Sequence, residues 1–351
     1  MFQDIDVGKL LELQKQGELA LVDVRSPQEF EESTVPGSVN VPLFDDAERA
    51  EIGTLYKQVS VQAAKDRGLE IVSAKLPDFV RSFAAIPGRK AVFCWRGGMR
   101  SRTTATLLSL MDIRVYRLAG GYRAFRRWVV ETLEQFEFKP RAIVLNGNTG
   151  TGKTDILHRL AADGYPVLDL EGMAGHRGSI FGQIGMKPNN QKTFEALLAL
   201  RLLELNDKPY VVMEGESRRI GKACLPPFLV EAKERGEQLL LELPLAERVR
   251  HIVERYEPHR HKAECIEAFG RIRRRIHTPI AAEIGRAMHE DRFADACALL
   301  LESYYDPRYE HAVSSYADGN VTVVRAETVD EAYRLVKERL EAPAEAGAGV
   351  K

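Results

Sequence analysis

Short apolar runs alternate with stretches of helical spacing along most of the chain. Residues 19–24 (LALVDV) predict a buried strand, and a second extended piece ends at Asn40-Val41-Pro42 after the turn signal Pro36-Gly37. An apolar run at 91–94, helical spacing over 101–111, an extended run at 115–118 and a helix over 122–136 follow, the last set off by Gly120-Gly121. That order predicts a parallel α/β domain. The pattern restarts at Phe138-Lys139-Pro140 with a strand over 142–145. Later apolar runs at 166–170, 210–213, 238–243 and 321–324 alternate with helices, the signature of a second parallel sheet covered on both faces. The expected organisation is therefore a domain over 1–137, a domain over 138–340, and a tail over 341–351 that is disordered by composition.

Bulk properties narrow the class. A chain of 351 residues exceeds one ordinary hydrophobic core, and 44% apolar with 29% charged residues is the composition of a soluble globular protein. No apolar stretch is long enough to span a bilayer and the N-terminus lacks the order of a signal peptide, so the expected place is the cytoplasm, with no membrane partner. The four cysteines, Cys94, Cys224, Cys265 and Cys297, form no C-x-x-C pair, so neither a disulfide framework nor a structural metal is expected. A formal net charge of -1 gives no global attraction to polyanions.

Candidate chemistry begins at Cys94. The run Cys94-Trp95-Arg96-Gly97-Gly98-Met99-Arg100-Ser101 follows a strand and opens a helix, so backbone N–H groups converge near the sulfur. Arg96 and Arg100 add positive charge, and the expected result is a thiolate nucleophile. Together with Asp23-Val24-Arg25-Ser26, the segment Val35 to Pro42 and Leu118-Ala119-Gly120-Gly121-Tyr122-Arg123, this loop resembles the rhodanese family over residues 1 to 135. Two positions depart from it. Thr34 stands where many members carry histidine, and Cys94-x5-Arg100 is one residue longer than in simple sulfurtransferases, a lengthening that in rhodanese-like phosphatases accommodates phosphate. A phosphatase reading therefore stands beside the sulfurtransferase one.

The second domain opens on Gly147-Asn148-Thr149-Gly150-Thr151-Gly152-Lys153-Thr154, a G-x-x-x-x-G-K-[ST] loop set between a strand and a helix. Its glycines let the backbone wrap a diphosphate, Lys153 reaches the outer oxygens, and Thr154 is placed to hold magnesium if a metal takes part. Asp169 and Glu171, or Glu214 and Glu216, supply a second-strand acid, though none is a plain Walker B aspartate. His176, Arg177, Arg218 and Arg219 fall in glycine-flanked loops at strand ends, where arginine forks suit phosphate oxygens. Further on, a basic segment that includes Arg255, Arg271, Arg273, Arg274 and Arg275 is either an RNA-binding face or a solvated helical face.

Taken in order, FCWRGGMRS, LNGNTGTGKT, LDLEGMAGHRGSIFG and EGESRRIG resemble the tRNA 2-selenouridine synthase family over nearly the whole chain. The resemblance implies a fold of a rhodanese-like domain followed by a kinase-like P-loop domain. It also implies conversion of wobble 2-thiouridine in tRNA to 2-selenouridine, with selenophosphate as donor and S-geranylation from geranyl diphosphate as an intermediate step. On that reading Cys94, Arg96 and Arg100 serve the selenophosphate step, while residues 147–154 with Arg177, Arg218 and Arg219 hold the prenyl diphosphate. The basic segment then meets tRNA, and an enzyme that supplies selenophosphate is an expected partner. Ile180, Phe181, Ile184, Phe194, Leu197 and Leu198 either line the geranyl pocket or belong to the core.

Overall fold

The computed structural model describes residues 2–17, 19–179, 181–308 and 320–342. The expected tail past residue 342, and Ile180, lie outside the described residues. The chain divides into two compact units, the first holding Met1–Gln135 with Glu195–Ala199 and the second Phe136–Phe194 with Leu200–Lys351.

In the first unit β1 (Gln3–Ile5), β2 (Leu19–Asp23), β3 (Val39–Asn40), β4 (Arg89–Phe93) and β5 (Val115–Leu118) form one sheet. Its order is β1-β5-β4-β2-β3 and every pairing is parallel. Central strands of such a sheet are covered on both faces, which is why β2 and β4 read as near-continuous apolar runs. Helices Asp46–Gln58 and Val61–Ala84, over a stretch where the apolar pattern predicts no strand, pack on each other. The first is fixed at its start by a reciprocal cap: Glu48 N donates to the Asp45 carboxylate and Asp45 N to the Glu48 carboxylate, both at 2.8 Å. Phe44, Val72, Phe79 and Phe83 join Val22, Val92 and Cys94 in one buried cluster.

The second unit has β6 (Arg141–Gly147), β7 (Val167–Leu168), β8 (Tyr210–Glu214), a two-stranded hairpin of β9 (Arg219–Ile220) and β10 (Ala223–Cys224), then β11 (Glu237–Glu242) and β12 (Val321–Arg325). The main sheet runs β12-β11-β6-β8-β7, all parallel. Residues 245–305 form a helical layer with its own core of Phe269, Ile272, Ile284, Met288, Phe293 and Leu300. Both units are thus parallel-sheet α/β folds, as the apolar pattern predicts. No helix among the described residues is long and apolar enough to cross a membrane.

Candidate active site

The Cys94 loop is built by close backbone approach. Gly97, Gly120 and Gly121 all have positive φ (62°, 72° and 61°), which side chains other than glycine rarely adopt. This lets the 120–123 turn reach the loop: Tyr122 N donates to Cys94 O at 2.8 Å and Arg123 N to Trp95 O at 2.9 Å. Arg117 adds a guanidinium hydrogen bond to Gly97 O at 2.9 Å. Cys94 is buried, and its Sγ lies 3.2 Å from Ser101 Oγ on the first turn of helix Met99–Leu110.

Of the two arginines expected to act on the thiol, Arg96 is exposed and Arg100 is clamped by Glu29 at 2.5 and 3.1 Å. Burial works to raise the Glu29 pKa, but the Arg100 hydrogen bonds and charge outweigh it and hold the carboxyl below its usual range. The Cys94 position feels both Arg100 and Arg117 electrostatically, so Arg117, Glu29 and Ser101 join the site although sequence reading assigned them no role there. Thr34 donates from its hydroxyl to Asp23 at 2.9 Å, bracing the buried Asp23–Arg25 ion pair.

In the second unit the glycine-rich loop leaves β6 and enters helix Lys153–Ala162. Gly147, Gly150 and Gly152 have positive φ, and a Cβ at Gly150 would meet Arg248 O at 2.9 Å, so helix Leu245–Tyr256 packs directly on the loop. The loop is braced from outside by Arg248, whose Nε donates to Thr149 O at 3.0 Å while its other nitrogens pair with Asp306 at 2.6 and 3.0 Å. Asn148 also donates to Asp306, at 3.1 Å. Lys153 Nζ turns back onto Gly147 O at 2.6 Å and Asn148 O at 3.3 Å, and Thr151 Oγ1 donates to Asn148 O.

The loop opens on a cleft of about 250 Å³ lined by Lys153, Thr154, Glu171, Arg177, Glu216 and Arg255, among others. Thr154 Oγ1 donates to Glu171 at 2.8 Å. Burial, then the charge of Glu216, pushes the Glu171 carboxyl up to about 7 against the Thr154 hydrogen bond and Lys153. Arg177 donates to Ile184 O at 2.9 Å and lies 4.7 Å from the centre of the Tyr256 ring. Arg255, expected on an RNA face, instead pairs with Asp155 at 2.5 Å and lines this cleft beside His251, which also meets Asp155.

Four other expected site residues stand elsewhere. Glu214 is fully buried beneath the cleft, where one oxygen accepts from Leu170 N at 3.0 Å; burial, then the charges of Asp169 and Glu171, drive its carboxyl well above the usual range. The acids that reach the cleft are Glu171 and Glu216. His176 is buried and packed against Gly182 and Gly221, whose Cβ atoms would come within 2.8 and 2.7 Å of its ring. It holds the loop that presents Arg177. Arg218 and Arg219 are exposed around β9 and do not line the cleft; the hairpin that carries them points them to solvent.

An apolar cavity adjoins the cleft and shares Thr149, Ser179, Ile252, Tyr256 and Tyr305 with it. Phe181, Met288, Phe293 and Leu300 complete its walls, with the thiols of Cys265 and Cys297. Its open space is about 70 Å³. Of the apolar residues expected to line a pocket, only Phe181 does so among those described; Ile184, Phe194 and Leu198 are buried in the core. The helical layer supplies the rest of the wall.

In the basic segment Arg271 pairs with Glu267 at 2.6 Å. Arg273, Arg274 and Arg275 form an exposed 3-10 turn and make no ion pair among the described residues.

Compared with known proteins, residues 140–340 match the family model described as the tRNA 2-selenouridine synthase AAA domain, and residues 6–127 match the rhodanese-like domain. The tRNA 2-selenouridine synthase of Nitrosomonas europaea is 37% identical over 247 residues, 67% of this chain and 63% of that protein. The chain thus spans less than two thirds of that relative, and 61% of the one from Nitrosomonas eutropha. The tRNA 2-selenouridine synthase of Bdellovibrio bacteriovorus is 30% identical, covering 92% of this chain and 95% of its own length. Among solved structures, a rhodanese-related protein from Thermoplasma volcanium is 20% identical over 37% of this chain and 93% of its own, with a TM-score of 0.23.

Proposed function

Since the chain belongs to the tRNA 2-selenouridine synthase family, we propose that it is a transferase that replaces the 2-thio sulfur of a wobble uridine in tRNA by selenium. The sulfur first attacks C1 of geranyl diphosphate, the C1–O bond breaks, and diphosphate leaves with the electron pair. The selenium of selenophosphate then attacks C2 of the geranylated base and the C2–S bond breaks, geranylthiolate leaving with the electron pair as a better leaving group than the thiocarbonyl sulfur it came from. Water cleaves the Se–P bond, releasing phosphate and leaving 2-selenouridine.

The observation that carries this reading is the shared wall between the phosphate cleft and an apolar cavity. A prenyl diphosphate is a polyanion joined to a hydrocarbon, and here a P-loop with Lys153, Arg177 and Arg255 borders a chamber walled by Phe181, Ile252, Met288 and Phe293. A nucleoside triphosphate would have no use for that chamber. At about 70 Å³ the cavity is smaller than the roughly 300–1,000 Å³ of usual ligand pockets, so seating the chain requires movement of its walls. Met288, flexible by chemistry, is suited to that. Thr154 and Glu171, already within 2.8 Å of each other, are the hard oxygens that suit magnesium, which would offset charge on the leaving diphosphate. In the first unit Cys94, flanked by Arg96, Arg100 and Arg117, serves the selenophosphate step. The exposed turn of Arg273, Arg274 and Arg275 meets the tRNA backbone, and an enzyme that supplies selenophosphate is the expected partner.

The test is mass spectrometry of nucleosides from 2-thiouridine tRNA incubated with the protein, geranyl diphosphate and selenophosphate. Geranylated and then selenated uridine are expected. Unchanged RNA, with hydrolysis of an aryl phosphate that is lost in Cys94→Ser, would replace this reading by the phosphatase one. Lys153→Ala is expected to abolish geranylation and spare selenation of tRNA that is already geranylated; equal loss of both would refute the division of labour.

A further inference from the structure

The first unit contains an apolar groove that neither the thiol loop nor the phosphate cleft accounts for. It lies among helices Asp46–Gln58, Val61–Ala84 and Met99–Leu110 and encloses about 360 Å³, within the size range of ligand pockets. Phe44, Gly68, Leu69, Leu76, Met99 and Leu107 are among the residues that line it. Tyr56, Leu69 and Met99 are 57%, 70% and 55% exposed, a concentration of large apolar side chains that marks a binding surface.

Position gives the groove its meaning. Met99 and Arg100 belong to the first turn of the helix that follows the Cys94 loop, so the groove reaches the C-terminal end of that loop. Leu43, Phe44 and Val72, which line the groove, sit in the same buried cluster as Cys94. One unpaired cation stands at its edge: Lys65 is exposed and makes no ion pair among the described residues, whereas Arg100, in the wall, is already paired with Glu29. A ligand that suits these features has a hydrocarbon arm, a reactive centre at the thiol and an anionic remainder.

We propose that this groove holds the hydrocarbon chain of an S-prenylated 2-thiouracil base while C2 of that base stands at Cys94. The inference rests on the proposed function for the existence of such an intermediate. Once sulfur carries the chain, the base presented to the thiol loop brings ten carbons with it, and apolar surface left in water is unfavourable. The groove removes the chain from water beside the reacting carbon, and Lys65 at its edge suits one RNA phosphate. Its consequence is selectivity: a base with sulfur still unalkylated cannot use this binding, so selenation is directed to the alkylated intermediate.

Two experiments on the full chain decide it. An anticodon stem-loop whose 2-thiouridine sulfur carries a diazirine-bearing prenyl analogue is irradiated with the protein, and labelled peptides are mapped. Labels within residues 61–76 and 99–107 are expected; labels confined to the 252–305 layer, or spread without preference, would overturn the proposal. In the second, Gly68→Leu fills the groove, since a Cβ there lies 3.4 Å from the Phe44 ring and the backbone needs no unusual φ. It is expected to raise the Kd for S-geranylated stem-loop about tenfold while leaving that for S-methylated stem-loop unchanged. Equal change for both ligands, or for neither, refutes the site. Leu69→Gln at the rim, which leaves the core intact, should shift the same ratio in the same direction if Gly68→Leu fails to fold. Both experiments start from RNA that already bears the chain, so failure of the proposed function is read separately, as absence of S-geranylated nucleoside from geranyl diphosphate.

Discussion

Gly121→Ala is predicted to dismantle the thiol loop, whereas Gly98→Ala, in the same loop, is predicted to be silent. A Cβ at Gly121 would stand 2.2 Å from Cys94 O and 2.4 Å from Gly97 N, both backbone atoms that cannot rotate away. The φ of 61° adds about 1–2 kcal/mol for a residue with a side chain. Relief requires the 120–123 turn to withdraw, which breaks the hydrogen bonds from Tyr122 N and Arg123 N to the loop, each contributing about 1 kcal/mol. The expected destabilisation is therefore about 3–4 kcal/mol. At Gly98 a Cβ meets nothing within 4 Å and φ is −87°, so the cost stays within about 0.5 kcal/mol. Both tryptophans of the chain, Trp95 and Trp128, belong to the first unit, so urea unfolding followed by tryptophan fluorescence reports this unit alone. A slope of about 2 kcal/mol/M turns the difference into a midpoint shift of about 1–2 M. Equal midpoints for the two variants would refute the close approach of the 121 turn to the cysteine loop.

Arg248→Ala leaves Asp306 without its bidentate partner and Thr149 O without a donor; loss of a mostly buried pair is expected to cost about 3 kcal/mol, measured by thermal melting, and an unchanged Tm would contradict the brace. Glu171, raised to about 7, binds more protons folded than unfolded between its ordinary value of 4.5 and 7. Its contribution is fully present below the lower value and is lost as pH rises through the higher, so Glu171→Gln should flatten the fall, from about pH 5 to about pH 7.5, in the urea midpoint of the second unit followed by far-UV circular dichroism; identical slopes in both proteins would contradict the burial of this carboxyl. Replacing Arg273, Arg274 and Arg275 together by Ala should weaken tRNA binding and lower the slope of log Kd against log salt by about 2–3, while Arg271→Ala, already paired with Glu267, should change it little; equal effects would remove the turn as the RNA contact.

The longer strands and both loops were legible because each depends on local patterning: a buried parallel strand is apolar throughout, and a phosphate loop has to place glycines at fixed offsets, whereas β1 and the β9–β10 hairpin are too short to show a pattern. Partners that come from far along the chain were not. Glu29 meets Arg100 across 71 positions and Arg248 meets Asp306 across 58, and nothing in either neighbourhood announces the other. Arg218 and Arg219 have the right residue type in a glycine-flanked stretch, but a short hairpin turns them out to solvent. Arg255 was taken with a charge run because its pairing to Asp155, 100 positions away, becomes visible only when helix Leu245–Tyr256 lies on the loop. The pattern left pocket wall and core open for the apolar residues near the second strand, because helical spacing is the same in both; Ile184, Phe194 and Leu198 are core, Phe181 lines the cavity, and the rest of the wall comes from the helical layer.

The apolar cavity brings two thiols next to the place where the proposed donor would expose an electrophilic carbon. Burial pushes Cys265 up to about 11 and Cys297 up to about 12, so at neutral pH almost none of either exists as thiolate, the form that reacts with an allylic diphosphate. A chamber lined in this way resists alkylation by its own substrate. Prenylation of the enzyme would therefore be slow on the time scale of turnover, and an alkaline medium would be the condition in which the protein begins to consume itself.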